Sequence, residues 1–381
     1  MYSTIVIGTF IPLEMPAFAG LGPIALWTII LLIYAFTASV LPVTQLLQPR
    51  DYINAYQLVI AMGLLVLGVF FSAFGGNLHV VAPAVNANPV GSPPLWPFLF
   101  ITIACGAISG FHSLVSSGTT SKQIRKESDS LFVGYGGMLT EGALATLVII
   151  AVSAGIGMGY TSGGKTLIGL QAWTAHYSSW AAAGGLSSKI GAFIDGSANL
   201  LGSIGIPKAV SLVLMGVFVA SFAGTTLDSA TRIQRYVLQD TFPKTFKNRY
   251  FATAVVILFA VVLVFSSGAN GKGALALWPL FGAVNQTLAA LALLVVTIYL
   301  RPRTKWGWLI SALPAAFMFI MAGWAAVLNQ VRFGAGHHIL LQIINLVIIL
   351  SMVWVLIEAI MKFSKTKYEG KPEVSNAESS L

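Results

Sequence analysis

The residues of this chain that could do chemistry sit inside stretches that are otherwise apolar. Glu141 lies in GYGGMLTEGALA (134–145), His112 in SGFHSLVSSGTT (109–120), Asp228 in FAGTTLDSATRIQR (222–235), and Asn285 and Gln286 in FGAVNQT (281–287). A charged side chain near a bilayer centre costs about 2.5–3.5 kcal/mol on insertion scales, so each needs a reason to be there. Glu141 follows nine residues after Phe132, roughly 13 Å along a helix at about 1.5 Å per residue. A carboxyl at that depth is either a coupling or gating group or a structural Glu that is protonated or hydrogen-bonded to a neighbouring helix. By the same rise, His112 is roughly 24 Å from Trp96. Its imidazole can donate, accept or shuttle a proton, and a satisfied structural donor is the alternative reading.

Around His112 the sequence turns from apolar to hydroxyl-rich: Gly110, Ser113, Ser116, Ser117, Thr119 and Thr120 follow an apolar stretch that begins at Trp96. Non-helical backbone survives at membrane depth only when buried in protein or lining a wet cavity. This predicts a helix broken between Gly106 and Gly110, with freed backbone and hydroxyls coordinating substrate or an ion. The alternative is that Gly and Ser only let helices pack closely. Asn285 and Gln286 point about 100° apart on a helix, so one of them faces a cavity or a neighbouring helix. Asp228, Arg232 and Arg235 share one helix face, and the first two have the spacing of an ordinary i,i+4 ion pair. Thr225 and Thr226, beside Gly224, could bind a cation or merely back-bond within their own helix. His112 and Ser113 are adjacent and point apart, which leaves an intramembrane hydrolase using Ser113 or Ser116 as a remote alternative. No Walker loop, dinucleotide fingerprint or His/Cys metal spacing is present in the sequence, so no metal or cofactor is expected.

The elements that must position these groups are nine apolar runs: 22–47, 56–74, 96–121, 132–158, 207–231, 250–267, 275–300, 306–328 and 339–361. Each can supply the roughly 20 helical residues needed to cross a bilayer. Of the Lys and Arg residues, 16 fall in alternate gaps and the C-terminal tail, beginning with Arg50, while five (Lys165, Lys189, Lys208, Lys272 and Arg332) fall in the other gaps. Cytoplasmic loops carry the cation excess, so the pattern predicts an N-terminus outside and a C-terminus in the cytoplasm. The expected organisation is a short outside segment (1–21), a transmembrane domain of about nine helices (22–363), and a disordered cytoplasmic tail (364–381). Two long outside stretches are expected, 75–95 and 159–206, the second with a surface helix near 188–201.

Composition leads to the same class. Hydrophobic residues make up 56% and charged residues 9%, where a soluble domain carries about 25% charged. The net charge of +9 therefore belongs to loops facing an anionic leaflet rather than to a nucleic-acid surface. Cys105 is the single cysteine, which excludes a disulfide framework. The first 21 residues hold no basic residue, so no signal peptide is expected there. The chain reads as an all-α polytopic bundle with the lipid bilayer as its solvent.

Five segments together resemble the carbon starvation protein A (CstA) family of membrane transporters: LPVTQLLQPRDYINAY (41–56), SGFHSLVSSGTTSKQIRKES (109–128), GYGGMLTEGALA (134–145), FAGTTLDSATRIQRYVLQD (222–240) and LWPLFGAVNQTLAALALL (277–294). The resemblance implies uptake of peptides or of a small carboxylate such as pyruvate during nutrient limitation, coupled to a cation or proton gradient. It also implies the C-terminal part of an inverted-repeat fold of the amino acid–polyamine–organocation type. Family members carry further transmembrane helices before the segment matching residue 22. On that expectation a separate polypeptide supplies them, or the chain is an inactive remnant or partial subunit. The sharpest expectation is that Glu141 faces the polar segment around His112 and takes part in coupling.

Overall fold

The structure is a computed structural model and describes residues 2–18, 20–86, 90–162, 164–183, 186–266, 268–271 and 273–366. In chain order its helices are α1 (Tyr2–Phe10), α2 (Pro23–Val40), α3 (Leu47–Phe74), α4 (Phe100–Ala107), α5 (Gly110–Gly118), α6 (Asp129–Leu131), α7 (Gly137–Ser153), α8 (Leu170–His176), α9 (Trp180–Ala183), α10 (Leu186–Gly202), α11 (Lys208–Thr241), α12 (Arg249–Phe265), α13 (Trp278–Leu300), α14 (Leu309–Ala335) and α15 (Ile339–Lys365). A two-stranded antiparallel hairpin joins β1 (Tyr160–Ser162) to β2 (Lys165–Leu167).

Among the described residues, eight helical segments are long and apolar enough to cross a membrane. The remaining apolar run, 250–267, forms α12, of 17 residues, slightly short of the roughly 20 that a full crossing takes. The chain is an all-α, multi-pass membrane protein. Helix α14 shows the solvent for which these helices are built. Ile310, Leu313, Phe317 and Ile320 are exposed, while Ser311, Ala315, Met318 and Ala322 face inward. Large apolar groups outside and small residues inside suit helices that pack by close approach in lipid.

Two boundaries differ from the hydropathy reading. Helix α2 ends at Val40 because Leu41 precedes Pro42 and takes an extended conformation, as residues before proline do. Helix α3 begins at Leu47, so the polar residues Arg50, Asp51 and Asn54, which an apolar window leaves out, are its first turns. The expected disordered tail lies, from residue 367 onward, outside the described residues; before that, Ser364 and Lys365 complete α15.

The chain divides into two compact units. The first comprises Met1–Ser92, Gln123–Val262 and Ala269–Gly271, and the second Pro93–Lys122, Leu263–Gly268 and Lys272–Leu381. The core of the first unit gathers Ala61 and Leu65 of α3, Leu147 and Ala151 of α7, Leu200 and Leu201 of α10, and Met215 and Phe218 of α11. The expected surface helix near 188–201 is thus corrected to a buried one. Its glycine-mediated contacts explain this: a Cβ on Gly68 of α3 would lie 2.6 Å from the Leu200 carbonyl oxygen, so the two backbones touch. The first residues also form an element that the sequence reading did not assign, since α1 places Ile5 in this same core. In the second unit, α4, α13 and α14 meet through Ile101, Ala283 and Ala325, and again through Ala104, Ala290 and Met318.

Candidate functional sites: a broken helix and a polar stripe

The first constellation lies wholly within the second unit. Helix α4 stops at Ala107; Ile108 (φ −148°, ψ 124°) and Ser109 (φ −127°, ψ 127°) are extended; and α5 starts at Gly110. The predicted break is therefore present. Asn285 of α13 holds it. Its Oδ1 accepts from the Phe111 backbone N–H (2.8 Å) and from Ser109 Oγ (3.2 Å), and its Nδ2 donates to Cys105 Sγ (3.1 Å). One carboxamide thus satisfies a backbone donor freed by the break and ties both half-helices to α13, as buried polar groups require. Gly110 lies directly on α13, where an added Cβ would stand 2.7 Å from Ala289 N. Beside the corner is a cavity of about 480 Å³ whose lining includes Phe111, Leu114, Phe281, Val284, Asn285 and Leu288. Gln286, next to Asn285, is fully buried, and neither end of its amide has a hydrogen-bond partner among the described residues.

The other hydroxyls of this segment are less engaged than the sequence suggested. Ser113 Oγ donates to the Gly110 carbonyl (2.6 Å), while Ser116 and Ser117 both donate to the Ser113 carbonyl (2.9 and 3.0 Å). These are back-bonds within one helix, and among the described residues neither Ser113 nor Ser116 is hydrogen-bonded to His112. His112 is exposed, Thr119 is buried and Thr120 half-buried.

The second constellation lies wholly within the first unit, where α11 runs parallel to α2 and antiparallel to α3. Asp228 does not pair with Arg232, which corrects the i,i+4 expectation. Its Oδ2 forms an ion pair with Arg50 Nη1 and accepts a hydrogen bond from Tyr34 Oη at 3.0 Å. Arg232 Nη2 instead donates to the Ala38 (2.7 Å) and Leu41 (2.9 Å) carbonyls, which belong to the C-terminal end of α2 where the helix leaves acceptors free. Further along, Asn54 Nδ2 donates to Thr225 Oγ1 (2.7 Å) and Ser221 Oγ donates to Gln57 Oε1 (2.9 Å). Thr226 is exposed and back-bonds to the Phe222 carbonyl. Ser221, Thr225, Asp228 and Arg232 recur every three or four residues, and so do Arg50, Asn54 and Gln57. Each set is one helix face, and the two faces meet. Sequence reading missed Tyr34, Arg50, Asn54 and Gln57; the matching spacing of the two polar stripes was the available signal.

Glu141 is exposed on α7 and makes no hydrogen bond or ion pair among the described residues. It belongs to the first unit and His112 to the second, so neither unit by itself brings the two together. No group of three or more metal-ligating side chains occurs among the described residues.

The model of the family described as carbon starvation protein CstA matches residues 1–325. The chain belongs to that family. It is 32% identical over 356 residues to the peptide transporter CstA of Helicobacter pylori (strain ATCC 700392 / 26695), covering 82% of this chain and 52% of that protein. It is 32% identical over 366 residues to the pyruvate/proton symporter BtsT of Escherichia coli (strain K12), covering 78% and 50%. With the peptide transporter CstA of Bacillus subtilis (strain 168) the identity is 28% over 404 residues, covering 95% and 63%. The chain spans about half the length of most of the relatives it matches. No solved structure matches it significantly.

Proposed function

We propose that this CstA-family chain works in a secondary transporter of the cell's inner membrane that imports peptides or a small carboxylate such as pyruvate, coupled to a proton or another cation. The observation that carries the reading is the α4–α5 break pinned by Asn285 beside a cavity, because discontinuous helices are how transporters present backbone groups to a solute at membrane depth. The names of the relatives, peptide transporter and pyruvate/proton symporter, support the same class. On this reading Gly110, Ser113 and Asn285 shape the solute path, Glu141 is the coupling carboxylate, and the C-terminus faces the cytoplasm. The additional length of the relatives corresponds to helices that complete an inverted-repeat path, on the same or a separate polypeptide.

Uptake of labelled pyruvate and of a labelled dipeptide, in cells lacking their own carriers and expressing the complete transporter, tests it. Saturable uptake that collapses with a protonophore is expected. Glu141→Gln should abolish accumulation while leaving exchange of bound solute. No uptake of either solute, or uptake indifferent to every ion gradient, would overturn the reading.

A further inference from the structure

The charges gathered at the inner end of the first unit do not balance. Where α11 meets α2 and α3 there are three guanidinium groups (Arg50, Arg232 and Arg235) and two carboxylates (Asp51 and Asp228). Arg50 is held by both acids, through Asp228 Oδ2 and through Asp51 Oδ1 at 3.2 Å. Arg232 and Arg235 are only 3% and 6% exposed, yet no carboxylate lies within ion-pair distance of either among the described residues. Among the described residues the Nε atoms of all three arginines are buried without a hydrogen-bond partner, and so is Asp228 Oδ1. Arg232 is met by carbonyls at the end of α2 and Arg235 by the Tyr236 ring, but neither has a carboxylate, and by formal charge the three arginines exceed the two acids by one.

We propose that the cluster is a binding station for a single carboxylate group of the transported solute, at the inner end of the path. This rests on the transporter reading above and deepens it by naming where a carboxylate-bearing solute is held. The guanidinium fork matches a carboxylate with paired N–H donors, and Asp228 Oδ2 already sits on Arg50 Nη1, so the cluster accepts this group. A lipid headgroup is the poorer occupant, because Arg232 and Arg235 are enclosed by protein rather than turned to the membrane surface. The same contacts also hold α11 against its neighbours, through Asp228 with Arg50 and Tyr34 and through Arg232 on the end of α2.

Binding of labelled pyruvate to the purified full chain in phosphatidylcholine nanodiscs tests the proposal, with alanyl-alanine as competitor and pyruvamide as the uncharged control. Asp51→Asn leaves the Arg50–Asp228 pair in place and raises the surplus to two, so affinity should rise about tenfold or more. Arg235→Gln removes the surplus, so affinity should fall by about the same factor. The double variant should return near the starting value, and exposed Arg303→Gln should change nothing. Opposite signs from the two single variants are not what a merely structural role gives, and a gain with Asp51→Asn is informative even if an arginine variant folds poorly. Equal affinity across all variants removes the station and leaves the transporter reading intact. Pyruvamide binding as tightly as pyruvate also removes it. Sensitivity to the arginine variants only when phosphatidylglycerol is present assigns the cluster to a lipid phosphate instead. Binding of neither pyruvate nor alanyl-alanine to the unaltered chain removes the station together with carboxylate recognition by this chain.

Discussion

Gly106 and Gly110 flank the helix break and look equivalent in the sequence, but substituting them with alanine should give opposite results. A Cβ at Gly106 meets nothing within 4 Å. Gly106→Ala in the last turn of α4 should therefore be neutral or stabilising by up to about 1 kcal/mol, the helix-propensity difference between the two residues. At Gly110 the new Cβ would strike the backbone oxygen of Asn285 and the Cβ of Leu288, and would stand 2.7 Å from Ala289 N. None of these atoms belongs to a flexible side-chain end, so α5 itself must withdraw. Restoring an ordinary contact with Ala289 N alone requires a shift of about 0.7 Å, and the two nearer atoms require more, which stretches the 2.8 Å bond from Phe111 N to Asn285. Overpacking of this kind costs about 1–3 kcal/mol and the weakened hydrogen bond about 1 kcal/mol more, so Gly110→Ala should destabilise by about 2–4 kcal/mol. Unfolding of the purified variants in one lipid–detergent mixture, followed by tryptophan fluorescence, measures both. If Gly110→Ala is as stable as Gly106→Ala, α5 does not rest on α13 as described and the argument for the pinned corner fails.

Arg50→Met leaves the fully buried Asp228 without its cation and should cost about 3–5 kcal/mol, whereas Arg50→Met with Asp228→Leu should recover most of that loss in the same unfolding assay. Reporter fusions at Asn77, Tyr160, Asn270 and Phe333 should report outside, and those at Asp129, Thr245 and Arg303 inside; two or more reversals would overturn the assignment of spans and sides. Burial holds the His176 imidazole below its ordinary value, against the opposing pull of Asp195. The unfolded chain therefore takes up a proton before the folded one does, and stability falls as pH drops through about 6.5. His176→Gln should flatten that dependence. Burial raises the Asp195 carboxyl, with Lys208 opposing; the folded state then gains a proton first on acidification, so Asp195→Asn should steepen the acid loss.

The sequence alone determined the class of fold, because the need for about 20 apolar residues per crossing and the cost of charge in lipid leave a pattern that composition cannot hide. It also located the break in the third span, since clustered glycines weaken a helix and hydroxyls at membrane depth need protein or water around them. It could not determine partners. Asp228 and Arg232 sit at the spacing of a local ion pair, yet Arg50, nearly 180 residues away in sequence, takes the carboxylate, and Arg232 turns to the end of α2. Helical spacing says which side chains share a face, and only the packing of α2, α3 and α11 says which neighbour that face meets. Asn285 and Gln286 make the same point. Both were legible as intramembrane amides, but the rotation of α13 directs one to the broken helix and leaves the other enclosed without a partner among the described residues. Hydropathy likewise missed the start of α3 and misplaced α10 at the surface. A polar helical turn that faces protein and a short helix buried through glycines both look like loop when lipid is the only solvent considered.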